Sequence, residues 1–375
     1  MIDKSFCQNG KTIFFFLLFW HYGGKEKMNN NQFIGGCEPP IPWIGGKSIL
    51  LPVLRRLIPP YPQKYLETFG GGGAMTCSGR IAPTQIYNDK NSKLVNFMRV
   101  LQSRADELIN HLLGVFNSDG TIRKEFAKQF FFNSRDQFII ASNVFYHSES
   151  VEDFFDQIKK TSNKARTHEE KIHTMWLISE LIKEYEKRAN DPELWDAVHF
   201  FILMKCSYAA TGTSWAIKPV NAGSIARILN HASRMFQNII IENKDCIELI
   251  KFHDSESTFI YNDPPYYMAE DLYKGVDLFD ESKHRELHDT LNECKSKVLL
   301  SYNDCPYIDQ LYIEDKWEKI RVARPNSMVL RNGPGALYYE IIIANYNIRD
   351  LYKYGTQTTF FDELEPMNNE GRIIL

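Results

Sequence analysis

Short apolar runs rich in β-branched and aromatic residues recur along the chain, and amphipathic stretches separate them. Residues 64–69 and 85–87 read as strands in the first third, and 239–242, 258–261, 297–303, 317–322 and 337–344 read as strands later on. Runs that are apolar at nearly every position, such as 239–241 and 259–261, fit strands buried on both faces. Helical patterns lie between them, at 49–57, at a short segment running through Cys77, and at 246–252. From about residue 105 to 235 this rhythm is lost. The pattern there is mostly helical, as in 171–187 with Ile172, Met175, Trp176, Ile178, Leu181, Ile182 and Tyr185. An α/β sheet interrupted by a mainly helical insertion is the fold class that follows.

Candidate chemistry gathers where the strands end. The run Phe259-Ile260-Tyr261-Asn262 leads into Asp263-Pro264-Pro265-Tyr266-Tyr267. Proline cannot donate to a ladder, so Pro264 stops the strand. The turn offers a carboxylate, a carbonyl with no sheet partner and a flat ring, which are the groups needed to hold a planar amine. A surface turn in which Asp263 only caps the next helix accounts for the same residues.

Residues 64–69 run straight into Gly70-Gly71-Gly72-Gly73-Ala74, and the following strand ends in Asn88-Asp89. Strand, glycine turn and helix form a nucleotide-binding unit, and an acid at the tip of the second strand suits a ribose diol. The last glycine of the strict dinucleotide pattern is missing, so NAD or FAD is not well supported, while the glycine loop with an acid at this spacing signals an adenosine-containing cofactor. A flexible turn beside a helix-capping aspartate is the structural alternative. Upstream stands Ile41-Pro42-Trp43-Ile44-Gly45-Gly46-Lys47-Ser48. It lacks the first glycine of a phosphate-binding P-loop and no apolar strand precedes it. Lys47 at a helix start opposes the macrodipole, which an anionic ligand such as a carboxylate would relieve; a solvated lysine is the alternative.

Composition narrows the setting. With 375 residues, 43% of them hydrophobic and 24% charged, the chain has room for about two domains or one domain with a large insertion. A net charge of −3 gives no sign of nucleic-acid binding, so such a surface must be local. Two basic patches, 123–135 and 159–171, lie in the insertion, the first with Phe126, Phe130, Phe131 and Phe132 among its bases. Phosphate contact with base stacking and a solvated helix face explain them equally. Seven scattered cysteines without a Cys-x-x-Cys pair point to reduced thiols in a cytoplasm. Cys246 and Cys294 read as buried small hydrophobes rather than reactive thiols. The apolar octet 13–20 is too short for a bilayer, which needs ~20 apolar residues, so no membrane partner is expected. Residues 1–31 read as a dispensable extension upstream of a second start at Met28, and the tail 356–375 as poorly packed.

The order of motifs resembles a known family. Pro-Trp-x-Gly-Gly-Lys, then Glu-x-Phe-x-Gly-x-Gly-Ala, Asn-Asp, a long insertion, Asp-Pro-Pro-Tyr, a strand ending Ser-Tyr-Asn, and a terminal Glu-x-x-x-x-Asn-Tyr resemble the Dam-like adenine-N6 DNA methyltransferases. The likeness covers about residues 40–105 and 235–346. It implies a Rossmann-like methyltransferase sheet with helices on both faces and S-adenosylmethionine as cofactor. It divides the chain into an extension (1–38), a discontinuous catalytic domain (39–105 and 236–355), a target-recognition insertion (106–235) and a tail (356–375).

On this resemblance Trp43 and Lys47 contact the cofactor, with Lys47 on its carboxylate. Glu67, Phe69, Gly71 and Gly73 belong to the loop beneath it, Asp89 holds the ribose and Asp245 the adenine ring. Asp263, Pro264, Pro265 and Tyr266 form the catalytic turn, Asp263 also bordering the cofactor. The implied partner is double-stranded DNA, methylated at adenine N6 by a monomeric enzyme that needs no metal. A separately acting cognate restriction endonuclease and a bacterial or phage-infected cell come with the same resemblance. Transfer to RNA or to a protein amide nitrogen, or an inactive DNA-binding relative, are the competing readings.

Overall fold

A computed structural model of the chain describes residues 36–115, 190–206, 222–267, 279–313, 315–325, 337–354 and 372–374. The sequence expectations for residues 1–31, for the basic patches, for the helix 171–187 and for most of the tail lie outside these described residues.

The strands are β1 (Lys64–Glu67), β2 (Thr84–Asn88), β3 (Ile239–Glu242), β4 (Thr258–Asn262), β5 (Lys297–Asn303), β6 (Glu318–Pro325), β7 (Leu337–Ala344) and β8 (Arg372–Ile374). They form one sheet in the order β3-β2-β1-β4-β5-β7-β6-β8. The five strands from β3 to β5 run parallel. β7 inserts antiparallel between β5 and β6, and β8 adds parallel to β6. This is a mixed α/β, Rossmann-like sheet with helices on both faces, the class expected from the sequence. β1 leads into its turn with Thr68 N still donating to the Tyr261 carbonyl and Gly70 N to the Asn88 carbonyl, whereas after β4 Pro264 has no N–H to give the ladder. β3 stands at the sheet edge, and its Ile240 is 48% exposed although the apolar run reads as fully buried.

Alternation along the strands separates two apolar layers. On one face Tyr65, Phe259, Tyr261, Leu299, Ile320 and Ile342 pack under α1 (Leu51–Arg56) and α10 (Ile348–Tyr354). Further along that face Tyr87 and Ile239 meet α3 (Ser92–Ser103), α4 (Ala105–Val115), α5 (Pro192–Cys206) and α6 (Ala222–Phe236). The described helices of the expected insertion, α4 to α6, thus share an apolar cluster with α3 and the sheet. The spacing of buried Ile225, Leu229, Ala232 and Phe236 gives α6 the apolar stripe that allows this. The opposite face carries Leu66, Ile86, Ile260, Val298 and Leu300 beneath α7 (Cys246–His253), α8 (Glu281–Glu293) and α9 (Pro306–Leu311). A short α2 (Ala74–Cys77) follows the glycine turn. No helix among the described residues is long and apolar enough to cross a membrane.

The helices α3, α8, α9 and α10 and the strand β8 had no sequence prediction. α8 buries only His284, Leu287, Thr290 and Leu291, too thin a stripe to read, but Asp280 caps it by accepting from Lys283 N. β8 is three residues of the tail expected to be poorly packed, and its backbone pairs with β6 from Arg321 to Ala323.

Candidate active site

Strands β1 to β4 are parallel, so the loops leaving their C-terminal ends meet along one edge of the sheet. That edge collects the glycine turn after β1, Asp89 after β2, Asp245 after β3 and Asp263 after β4. Strand order reverses between β1 and β4, and open α/β sheets place ligands in the crevice at such a switch point.

The turn after β4 is held from several sides. Asp263 Oδ2 lies 2.7 Å from Lys47 Nζ, and the two side chains are 18% and 5% exposed. Asp263 Oδ1 accepts a hydrogen bond from Ser301 Oγ at 3.0 Å, and that hydroxyl also meets the Tyr261 hydroxyl at 2.9 Å. Lys47 additionally donates to the Gly45 carbonyl and stands 4.8 Å from the centre of the Tyr266 ring. Burial pushes the Asp263 carboxyl up to about 6, although the charge and hydrogen bond of Lys47 pull it down. Pro264 is buried and Pro265 half-buried between these residues. The Tyr266 hydroxyl donates to Glu340 Oε2 at 2.8 Å, and Arg324 Nε donates to Glu340 Oε1 at 2.6 Å.

The glycine turn is shaped by two aromatic rings. A Cβ on Gly70 would lie 2.1 Å from the Tyr87 ring, and one on Gly71 would lie 2.7 Å from the Trp43 ring. Gly71 and Gly73 have φ of +49° and +76°, left-handed values that favour glycine. Asp89 ties the turn to β2. Its Oδ2 accepts from Gly71 N at 2.9 Å and its Oδ1 from Asn91 N at 2.8 Å. Burial raises its carboxyl above the usual range, and the two N–H donors pull it back down.

Glu67 accepts from both the backbone N–H and the hydroxyl of Thr76, so it braces the turn from beneath. Burial pushes its carboxyl up to about 8, which leaves it mostly protonated at neutral pH. Phe69 packs edge-on to Phe279 with ring centres 5.6 Å apart. Asp245 caps α7 by accepting from Ile247 N at 2.9 Å.

Two groups of the sequence-predicted residues are therefore in direct contact: Lys47 with Asp263 and Tyr266, and Gly71 with Trp43 and Asp89. Glu67 and Asp245 make contacts that support their own loops. Cys246 and Cys294 are pushed up to about 12 by burial, so neither is a thiolate at neutral pH. Sequence reasoning assigned no role to Ser301, Arg324 or Glu340. The signal for Glu340 was present: it is the single charge in the otherwise uncharged strand Leu337–Ala344.

Over residues 43–324 the chain matches the family described as D12 class N6 adenine-specific DNA methyltransferase. It is also similar to the Type II methyltransferase M1.LlaDCHI of Lactococcus lactis subsp. cremoris, with 23% identity over 317 residues. That similarity spans 82% of this chain and 95% of the relative.

Proposed function

Since the chain belongs to the D12 class of N6 adenine-specific DNA methyltransferases, we propose that its cofactor is S-adenosylmethionine and its catalytic turn Asp263-Pro264-Pro265-Tyr266. It methylates adenine N6 in DNA, and the observation that carries the assignment of residues is the Lys47–Asp263–Ser301 arrangement at the switch point.

The donor set suits that cofactor. Lys47 offers an ammonium for a carboxylate, Asp89 and Asp245 offer acceptors at neighbouring strand tips, and the Gly71 backbone beside Asp89 carries no side chain and lies against the Trp43 ring. Trp43, Phe69 and Gly73 complete the walls of this pocket, and Glu67 holds its floor through Thr76. When bound, S-adenosylmethionine supplies a methyl group on a sulfonium, a donor strong enough to require no covalent enzyme intermediate.

The chain's own residues act on the adenine. The N6 lone pair is delocalised into the ring, which makes the amine a poor nucleophile. Asp263 and the Pro264 carbonyl accept hydrogen bonds from the two N6–H groups and favour a tetrahedral nitrogen with its lone pair directed outward. The same acceptors stabilise positive charge as it develops on N6, a preorganised electrostatic contribution. Tyr266 gives the base a stacking surface after it has left the duplex, as base-modifying enzymes require. The Asp263 carboxyl, pushed up to about 6, is mostly ionised at pH 7 and still basic enough to accept a proton from the product.

Double-stranded DNA read by the insertion 106–235 belongs to the same proposal, with the enzyme acting as a monomer in a bacterial or phage-infected cytoplasm. The Lactococcus relative is a type II methyltransferase, which supports a place for this enzyme beside a separately acting restriction endonuclease.

The test is transfer of labelled methyl from S-adenosylmethionine to unmethylated duplex DNA, with nucleoside analysis of the product. N6-methyladenine formed by the wild type and absent with Asp263→Ala is the expected result. Label in RNA or protein instead would discard the DNA assignment, and near-normal turnover of the folded Asp263→Ala variant would sink the catalytic turn.

A further inference from the structure

Glu340 is fully buried near the middle of β7. A carboxylate there is costly unless it is paired and hydrogen-bonded. Both its oxygens are engaged: Oε1 takes Arg324 Nε at 2.6 Å, and Oε2 takes the Tyr266 hydroxyl at 2.8 Å. Arg324 is in turn fixed over the Tyr338 ring, 4.8 Å from its centre.

Joining β6 to β7 does not require this pair, because the backbone ladder between the strands runs the length of β6. Apolar residues of similar volume would also fill both positions with less desolvation. What the pair adds is an acceptor of fixed direction at one atom of the catalytic turn.

Two neighbouring contacts show how that turn is gripped. Asn303, opposite Glu340 in the antiparallel register, donates to the Tyr267 carbonyl at 3.1 Å. Ser301, two residues earlier on β5, donates to Asp263. These hold the carboxylate and the exit of the turn. Among the three contacts, only the one from Glu340 reaches the Tyr266 hydroxyl.

We infer that Glu340, held in place by Arg324, is a positioning residue that fixes the plane of the Tyr266 ring so that the extruded adenine meets a preset stacking surface. The inference rests on Tyr266 being the ring that stacks on the base. Packing against Lys47 and Tyr302 already confines the ring, and the hydrogen bond to Glu340 fixes its tilt within that confinement at the moment a base enters. The loss therefore falls on the reacting complex rather than on first encounter with DNA or cofactor.

Tyr266→Phe removes the hydroxyl and leaves the ring. Arg324→Met with Glu340→Met removes the tether without leaving a lone buried charge. Each is expected to lower kcat about ten- to hundred-fold, the range for a hydrogen bond to a charged group, with KM for DNA and for cofactor nearly unchanged. Adding Tyr266→Phe to the double variant should produce no further loss, because the two changes break one contact.

A full additional loss in that triple variant, or a wild-type kcat in Tyr266→Phe alone, would overturn the tether. The second outcome needs no change at the buried pair, so the inference stays testable even if the double variant fails to fold. Tyr266→Ala separates the underlying reading from the inference. A loss well beyond that of Tyr266→Phe supports the stacking ring, and equal losses would reject stacking itself.

Discussion

Lys47 Nζ and Asp263 Oδ2 stand 2.7 Å apart, so the lysine suited to the cofactor's carboxylate and the acid suited to the target amine are partners of each other. An ammonium has three donors, and here they are shared among Asp263, the Gly45 carbonyl and any ligand that arrives. On the proposed reading, a carboxylate taking the third donor would share the ammonium's charge with Asp263. Under that reading, cofactor binding and the electrostatics of the proposed catalytic acid would be linked through this one side chain.

The link gives a pH signature. Asp263 must be ionised to stabilise the positive charge developing on N6 and to take up the proton the product releases, so kcat/KM should rise with pH with an apparent pKa near 6 in the wild type. Lys47→Met removes the group that pulls this carboxyl down by charge and hydrogen bond, so the acidic limb should move to higher pH. Steady-state transfer from about pH 5 to about pH 9 measures both curves. An acidic limb that stays in place would show that Lys47 does not control Asp263.

Ser301→Ala removes the hydroxyl that donates to Asp263 Oδ1 and leaves the buried Tyr261 hydroxyl without that partner. The cost in stability is expected to be about 1–3 kcal/mol by chemical denaturation, the range for a buried group losing its partner. The Ser301 hydrogen bond also lowers the Asp263 carboxyl, so the variant should lose more activity at slightly acid pH than at alkaline pH. A uniform loss across the pH range would assign Ser301 to geometry alone.

Much of this site could be read from the sequence, because a parallel strand buried on both faces appears as an apolar run and its polar exit stands out against it. β4 is the clearest case: every residue from Thr258 to Asn262 is buried, and Asp263 follows at once. The glycine turn was equally plain, since few other sequences run from a strand into four glycines. What stayed hidden depends on strand order. Glu340 and Tyr266 are 74 residues apart and meet only because β7 inserts between β5 and β6. No local pattern encodes that insertion. The pairing of Lys47 with Asp263 was hidden for the same reason, although each residue was singled out separately.

Asp245 carries two candidate roles that two variants can separate. As the cap of α7 its carboxylate satisfies the Ile247 N–H, and Asp245→Ala should cost roughly 1 kcal/mol of stability. Asp245→Ser keeps an oxygen able to cap while removing the charge. If the residue also contacts the cofactor's adenine, the serine variant should retain its melting temperature yet bind cofactor at least about ten-fold more weakly, a difference of ~1.4 kcal/mol. Calorimetric titration with S-adenosylmethionine decides it, and unaltered affinity would leave Asp245 with the cap alone.

Gly71→Ala tests the glycine turn. Its φ of +49° costs an L side chain roughly 1–2 kcal/mol, and the new Cβ would stand 2.7 Å from the Trp43 ring. Either Trp43 moves or the turn does, and both border the proposed cofactor pocket. Weaker cofactor binding with DNA affinity retained in a filter-binding assay is the expected pattern. Equal damage to both would instead indicate a general loss of the fold.

Glu67 gives the clearest stability prediction, because its carboxyl is pushed from 4.5 to about 8 by burial. The folded protein thus holds a proton that the unfolded chain has already released over that interval. Stability from this group is complete below the unfolded pKa and falls as pH rises towards the folded one, by about 1.4 kcal/mol for each pH unit between them. The glutamine of a Glu67→Gln variant cannot ionise, and its amide oxygen can still accept from Thr76 N and Oγ. Denaturant unfolding across neutral pH should therefore show the wild type losing ground to the variant as pH rises, with the two nearly equal at the acid end. Parallel curves would mean that Glu67 is ionised in the fold, and that the brace beneath the glycine turn is a carboxylate rather than an acid.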